Sequence, residues 1–154
     1  MFRKIVLPML IMCVIGVWML LLCGMKLGNI FDFPTLIPVI ITPYILATIG
    51  FGAKRSSLAF SAPFSAGAGV ADQKSAIAYF NSVLAYMIGF SVLLLMTGFI
   101  GMLHGIPYPS EASVVGTNVS IALLSIFYGA SGSLLLVLPF RTAAVSRLAE
   151  LEAE

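Results

Sequence analysis

The sequence predicts an all-α, polytopic membrane protein of four transmembrane helices, with both termini on the cytoplasmic side. Three observations predict this. Of 154 residues, 60% are apolar and only 9% are charged, whereas soluble domains carry about 25% charged residues. The few charges stand between long uncharged stretches rather than among them. The lysines and arginines also gather on one side of the layout those stretches define.

A spanning helix needs about 20 apolar residues. The first candidate runs over residues 5–23. Arg3 and Lys4 before an apolar run are also the layout of a signal peptide. The run is long for that role and no A-x-A site follows it, so a retained span is expected. LLLCG at 20–24 has the outline of a lipoprotein cleavage site, but Leu22 is too bulky before the cysteine.

The second span covers 35–51. The third covers 75–103, with no charge between Lys74 and His104. The fourth covers 114–140, with no charge between Glu111 and Arg141. At about 1.5 Å per residue the last two reach roughly 40 Å, so they are expected to tilt or to project beyond the hydrocarbon.

Charge placement sets the orientation. With the N-terminus inside, Arg3, Lys4, Lys54, Arg55, Lys74, Arg141 and Arg147 are cytoplasmic and only Lys26 is outside. Seven basic residues against one is the positive-inside pattern. The 53–74 loop is then cytoplasmic. It is rich in Ser, Ala and Gly and is expected to be flexible or weakly helical, with Asp72 capping helix three. The 141–154 tail is cytoplasmic too, and the outer loops are 24–34 and 104–113. The whole chain, 1–154, reads as one four-helix transmembrane domain.

Several classes drop out. A net charge of +2 is too small to suggest a nucleic-acid partner. Cys13 and Cys23 share one apolar segment and lack disulfide-framework or metal spacing. No set of nucleophile, base and orienting group stands out, so neither an enzyme nor a cofactor is expected. The two halves show no repeat, which argues against a transporter built on inverted repeats. A small exporter is disfavoured because no span holds an acid for proton exchange.

The fourth span carries a line of small and polar residues. Asn118, Ala122, Ser125, Gly129 and Gly132 are spaced 4, 3, 4, 3 and so share one side of a helix. The third span has a shorter line, Thr97, Gly101 and His104. The plain reading is close helix packing, since small residues let backbones approach in lipid. The sharper reading makes Thr97, Gly101, Asn118, Ala122, Ser125, Gly129 and Gly132 ion-pathway or partner-facing positions. Ion paths through membranes normally use an embedded charged residue, and these spans have none. Asp32 stands only at the outer start of helix two, and His104 at the outer end of helix three. Any proton carrier must then come from another subunit.

Four segments resemble, in order, the MotA, TolQ and ExbB proton-channel family. FDFPTLIPVI at 31–40 is similar to that family's second helix, where a pattern like F-I-D-x-P-S-L opens an apolar run. LLLMTGFIGML at 93–103 resembles the end of its third helix. VVGTNVSIALLSIFYG at 114–129 resembles its fourth helix, and LLVLPFRTAAVSRL at 135–148 that helix's end. There are departures. The loop between helices two and three has 22 residues, where flagellar MotA has a large rotor-contacting domain. A proline expected near Phe90 and Ser91 is missing, and the family's paired threonines are Ser125 and Ile126 here.

The resemblance implies a bacterial inner-membrane subunit that forms a homo-oligomeric ring, usually of five chains. The ring surrounds a MotB- or ExbD-like single-span partner, which supplies the ion-carrying Asp. The implied function is motion of that partner driven by the proton-motive force. The alternative is a non-conducting structural scaffold with the same fold.

Overall fold

The computed structural model describes residues 2–22, 31–104 and 112–153, and every regular element among them is helical. Helix α1 is Phe2–Leu22. Helix α2 is Phe33–Phe51, interrupted by a π-turn at Ile37–Ile41. Helix α3 is Ala53–Ser61, followed by a 3₁₀ turn at Ala62–Phe64. Helix α4 is Val70–His104. Helix α5, Ala112–Gly132, passes through a π-turn at Ser133–Val137 into α6, Leu138–Ala153.

Three of the described helices are long and apolar enough to cross a membrane: Phe33–Phe51, Val70–Leu103 and Asn118–Ala153. They correspond to the second, third and fourth expected spans. The expected first span is helical, as α1. Large apolar side chains cover the outside of the bundle, with Leu103 at 76% and Ile49 at 73% exposure. A helix apolar on all sides whose outer face stays uncovered matches a lipid surroundings, not water.

The 53–74 loop is more ordered than its composition suggested. Gly52 ends α2 at φ +82°, a backbone conformation that L side chains rarely adopt. The chain then turns directly into α3, whose Phe60 lies at the centre of an aromatic cluster. Its ring is 5.2 Å from Phe80, 5.5 Å from Phe140, 5.9 Å from Tyr79 and 6.2 Å from Tyr44. That contact holds a Ser- and Ala-rich segment in place. Asp72 does cap the expected third span, α4, but from its first turn, where its carboxylate accepts the Gly69 N–H at 3.0 Å. The 141–154 tail also continues as helix through Ala153.

Two prolines explain the two π-turns. Pro43 and Pro139 have no N–H for the carbonyl four residues back, and their rings crowd it. In each case the residue just before the proline bonds one residue further back. The Thr42 N–H donates to the Ile37 carbonyl, and the Leu138 N–H to the Ser133 carbonyl. The Tyr44 hydroxyl donates to the Leu136 carbonyl inside the second turn at 3.3 Å, which ties α2 to that turn.

The main buried cluster lies at the end of the bundle that carries α3. It joins Ala47, Ala59, Ala76, Tyr79, Phe80, Val83, Met87, Val137 and Ala144. A smaller cluster further along joins Val39 and Tyr128, with Leu36, Leu94 and Leu124 packed against it. Most of the two expected outer loops, residues 23–30 and 105–111, falls outside the described residues, and with them Cys23 and Lys26.

Candidate functional site

The small-residue line of the fourth span is where α5 meets α4. The two helices run antiparallel, and glycine sets how closely they approach. A Cβ built on Gly98 would lie 2.8 Å from the Ala122 Cβ. One on Gly129 would lie 2.9 Å from the Ser91 Cβ and would collide outright with its hydroxyl. One on Gly132 would lie 3.2 Å from the Met87 methyl. Side chains at Gly98 and Gly129 have no room, so the helices touch nearly backbone to backbone.

Ser125 is buried in this contact at 1% exposure. Its hydroxyl lies 3.0 Å from the Ser91 carbonyl oxygen on α4 and 2.7 Å from the Ala122 carbonyl oxygen on its own helix. One proton serves both acceptors and ties α5 to α4. The Ser91 hydroxyl, 3% exposed, donates to the Met87 carbonyl at 2.7 Å.

The seven positions singled out in the sequence therefore divide. Ala122, Ser125, Gly129 and Gly132 are buried, and α4 of the same chain covers them. Thr97, Gly101 and Asn118 are exposed. A Cβ on Gly101 would meet nothing within 4 Å. The Thr97 hydroxyl donates to the Leu93 carbonyl of its own helix at 2.8 Å, the usual way a threonine satisfies itself in an apolar setting. The His104 side chain lies outside the described residues.

The α4 positions that meet α5 are Met87, Ser91 and Gly98, one step around the helix from the expected Thr97 and Gly101 line. The seven-residue spacing of Ser91 and Gly98 was the available signal.

A second junction links two segments far apart in the chain. Asp32 caps α2: its carboxylate accepts the Thr35 N–H at 3.2 Å and also the Thr35 hydroxyl proton. The Asp32 N–H donates to the Tyr128 hydroxyl oxygen at 2.7 Å. The start of α2 is thereby pinned to α5 beside Tyr128, not to its tip. Sixteen residues of α5, about 24 Å, precede that point. The outer halves of α4 and α5 extend past α2 as a two-helix hairpin. Leu93, Met96, Phe99, Ile100 and Leu103 are exposed on its α4 arm.

No family model, curated protein or solved structure matches this chain. What its site can do follows from its residues. The Ser91 and Ser125 hydroxyls at the α4–α5 contact are bonded to backbone, and no acid stands between Lys74 and His104 or between Glu111 and Arg141. The contact is built to hold two helices together and offers no titratable group of its own.

Proposed function

We propose that this protein is a helical membrane subunit that assembles with copies of itself into a ring around a single-span partner, as the MotA, TolQ and ExbB proteins do. The observation that supports this most is the outer α4–α5 hairpin. It extends past α2 and exposes Thr97, Gly101 and Asn118 within an otherwise apolar surface. Such a surface suits contact with other helices in lipid, where small and hydroxyl-bearing residues permit close approach. The four buried members of the small-residue line shape the hairpin from inside, and the three exposed ones are available to a partner.

In this reading α1 is the first of four spans and both termini are cytoplasmic, in a bacterial inner membrane. The partner brings the Asp that takes up and releases the proton, because the spans of this chain hold no acid. Proton-motive force then moves the partner relative to the ring.

Native mass spectrometry of the detergent-extracted chain tests the assembly, with a closed oligomer, five copies by resemblance, as the expected result. A monomer at every concentration would sink the proposal. In liposomes the chain alone should not dissipate a proton gradient; flux should require an Asp-bearing single-span protein recovered with it.

One observation favours a second reading, a non-conducting scaffold with the same fold. Ser125 is sealed between α4 and α5 with its proton committed to backbone, so it serves packing. A ring that forms and binds a partner yet passes no protons would decide for the scaffold.

A further inference from the structure

A cavity of about 510 Å³ opens between α3 and the first turns of α4. This lies within the range of roughly 300–1,000 Å³ for small-molecule sites. Lys54, Arg55, Leu58 and Ala59 line it from α3, and Ala71, Asp72 and Ser75 from α4. Its charge is unbalanced. Asp72 is engaged with the Gly69 N–H. The neighbouring cation outside the cavity, Lys74, is matched by Glu152 at 3.0 Å. The Lys54 and Arg55 side chains have no hydrogen-bond or ion-pair partner among the described residues.

Two adjacent cations facing one cavity, with one carboxylate already held by a backbone N–H, leave a net positive site that an anion would neutralise. Arg offers a planar fork that matches phosphate oxygens, and Lys a point charge. Ser75 adds a hydroxyl at the wall.

We propose that this cavity binds a phosphate-bearing anion through Lys54 and Arg55, with Ser75 as a third donor. The surroundings favour a phospholipid headgroup as the source. Helix α3 follows directly on the spanning helix α2 after the Gly52 bend, which places it at the membrane surface. Leu58, on the cavity wall, is 44% exposed and offers apolar surface to acyl chains. Basic pockets at the ends of spanning helices on the cytoplasmic side are a recurrent setting for anionic headgroups.

The test uses the full chain, delipidated in detergent and examined by native mass spectrometry with phosphatidylglycerol, phosphatidylcholine or inorganic phosphate. The wild type should retain phosphatidylglycerol at least about tenfold better than phosphatidylcholine, whose phosphate comes with a choline cation that Lys54 and Arg55 repel. The pair Lys54→Gln with Arg55→Gln should abolish the preference, and Lys74→Gln should leave it intact. Removing two basic residues could alter membrane insertion, so Ala71→Glu supplies a second variant. It keeps both cations and adds a carboxylate to the wall at an exposed position, and it should abolish the preference equally.

Retention of phosphatidylglycerol by both variants at the wild-type level would overturn the site. Inorganic phosphate binding with the same dependence, without lipid retention, would uphold the phosphate site and assign its ligand to the soluble phase. Absence of both would overturn the proposal.

Discussion

At Gly129 a single methyl group is already too large. Its hypothetical Cβ would press on Ser91 across the α4–α5 contact, whereas one on Gly101 would meet nothing within 4 Å. Two identical substitutions on neighbouring helices should thus behave differently. Gly129→Ala should destabilise the protein by about 1–3 kcal/mol, the usual cost of overpacking. Gly101→Ala should be neutral or slightly stabilising through helix propensity. Reversible unfolding in mixed micelles measures both, and equal effects would show that the close approach is not what holds the hairpin. Gly129→Leu should disturb the fold of one chain first, and assembly only as a consequence. Tyr128 is the other residue whose role was hidden: its hydroxyl accepts the Asp32 N–H and sets where α2 begins against α5.

Among the elements, α3 and the paired π-turns depend most on their neighbours. Helix α3 has nine residues, too few to be stable alone in water. Phe60, wedged among Tyr44, Tyr79, Phe80 and Phe140, fixes it. Phe60→Ala should release the segment, at a cost of about 3 kcal/mol or somewhat less because Phe60 is only partly buried. Limited proteolysis in inside-out vesicles should then cut between residues 53 and 69, and full resistance would show that the aromatic cluster does not hold the helix. For the π-turns, replacing a helical proline by alanine ordinarily gains about 3 kcal/mol. Pro139→Ala should gain much less. Relaxing the π-turn into an α-turn rotates α6 against α5 and withdraws the Leu136 carbonyl from the Tyr44 hydroxyl. Measured unfolding of Pro139→Ala decides this, and a gain of the full amount would show that the turn is dispensable.

For the molecule as a whole, orientation is the property that charge placement addresses. In whole cells, a membrane-impermeant thiol reagent should label a cysteine introduced at Ser110 and not one at Ser65, in a background lacking Cys13 and Cys23. Labelling at position 65 would invert or abolish the proposed topology. The Arg141 side chain, which donates to Asn81 at 2.6 Å, and the Lys74–Glu152 pair lie at the same end of the bundle as α3. Together with Lys54 and Arg55 they form a basic level at that end, which the proposed topology puts on the cytoplasmic side.

The long apolar helices were legible before any coordinates, because spanning depends on a summed property, hydropathy over about 20 residues, and needs no knowledge of neighbours. Residues 75–103 and 114–140 announced themselves in this way. The rotation of each helix did not. In water a buried face is marked by its contrast with a polar one, but here both faces are apolar, and little in α4 distinguishes Gly98, which meets Ala122, from Gly101, which meets nothing. On α5 the spacing of Ala122, Ser125, Gly129 and Gly132 did mark the contact face, because small residues are the remaining signal when polarity is absent. The π-turns were unreadable for a related reason. A proline announces a missing N–H, but whether the helix breaks, kinks or widens depends on the donors its neighbours bring, and here those include a tyrosine 92 residues away in the chain. The order of α3 has the same origin, since its helix exists by virtue of rings contributed by α2, α4 and α6. Local composition decides which helices are long and apolar enough to cross a membrane; side-chain shape and distant hydrogen-bond partners decide which faces meet.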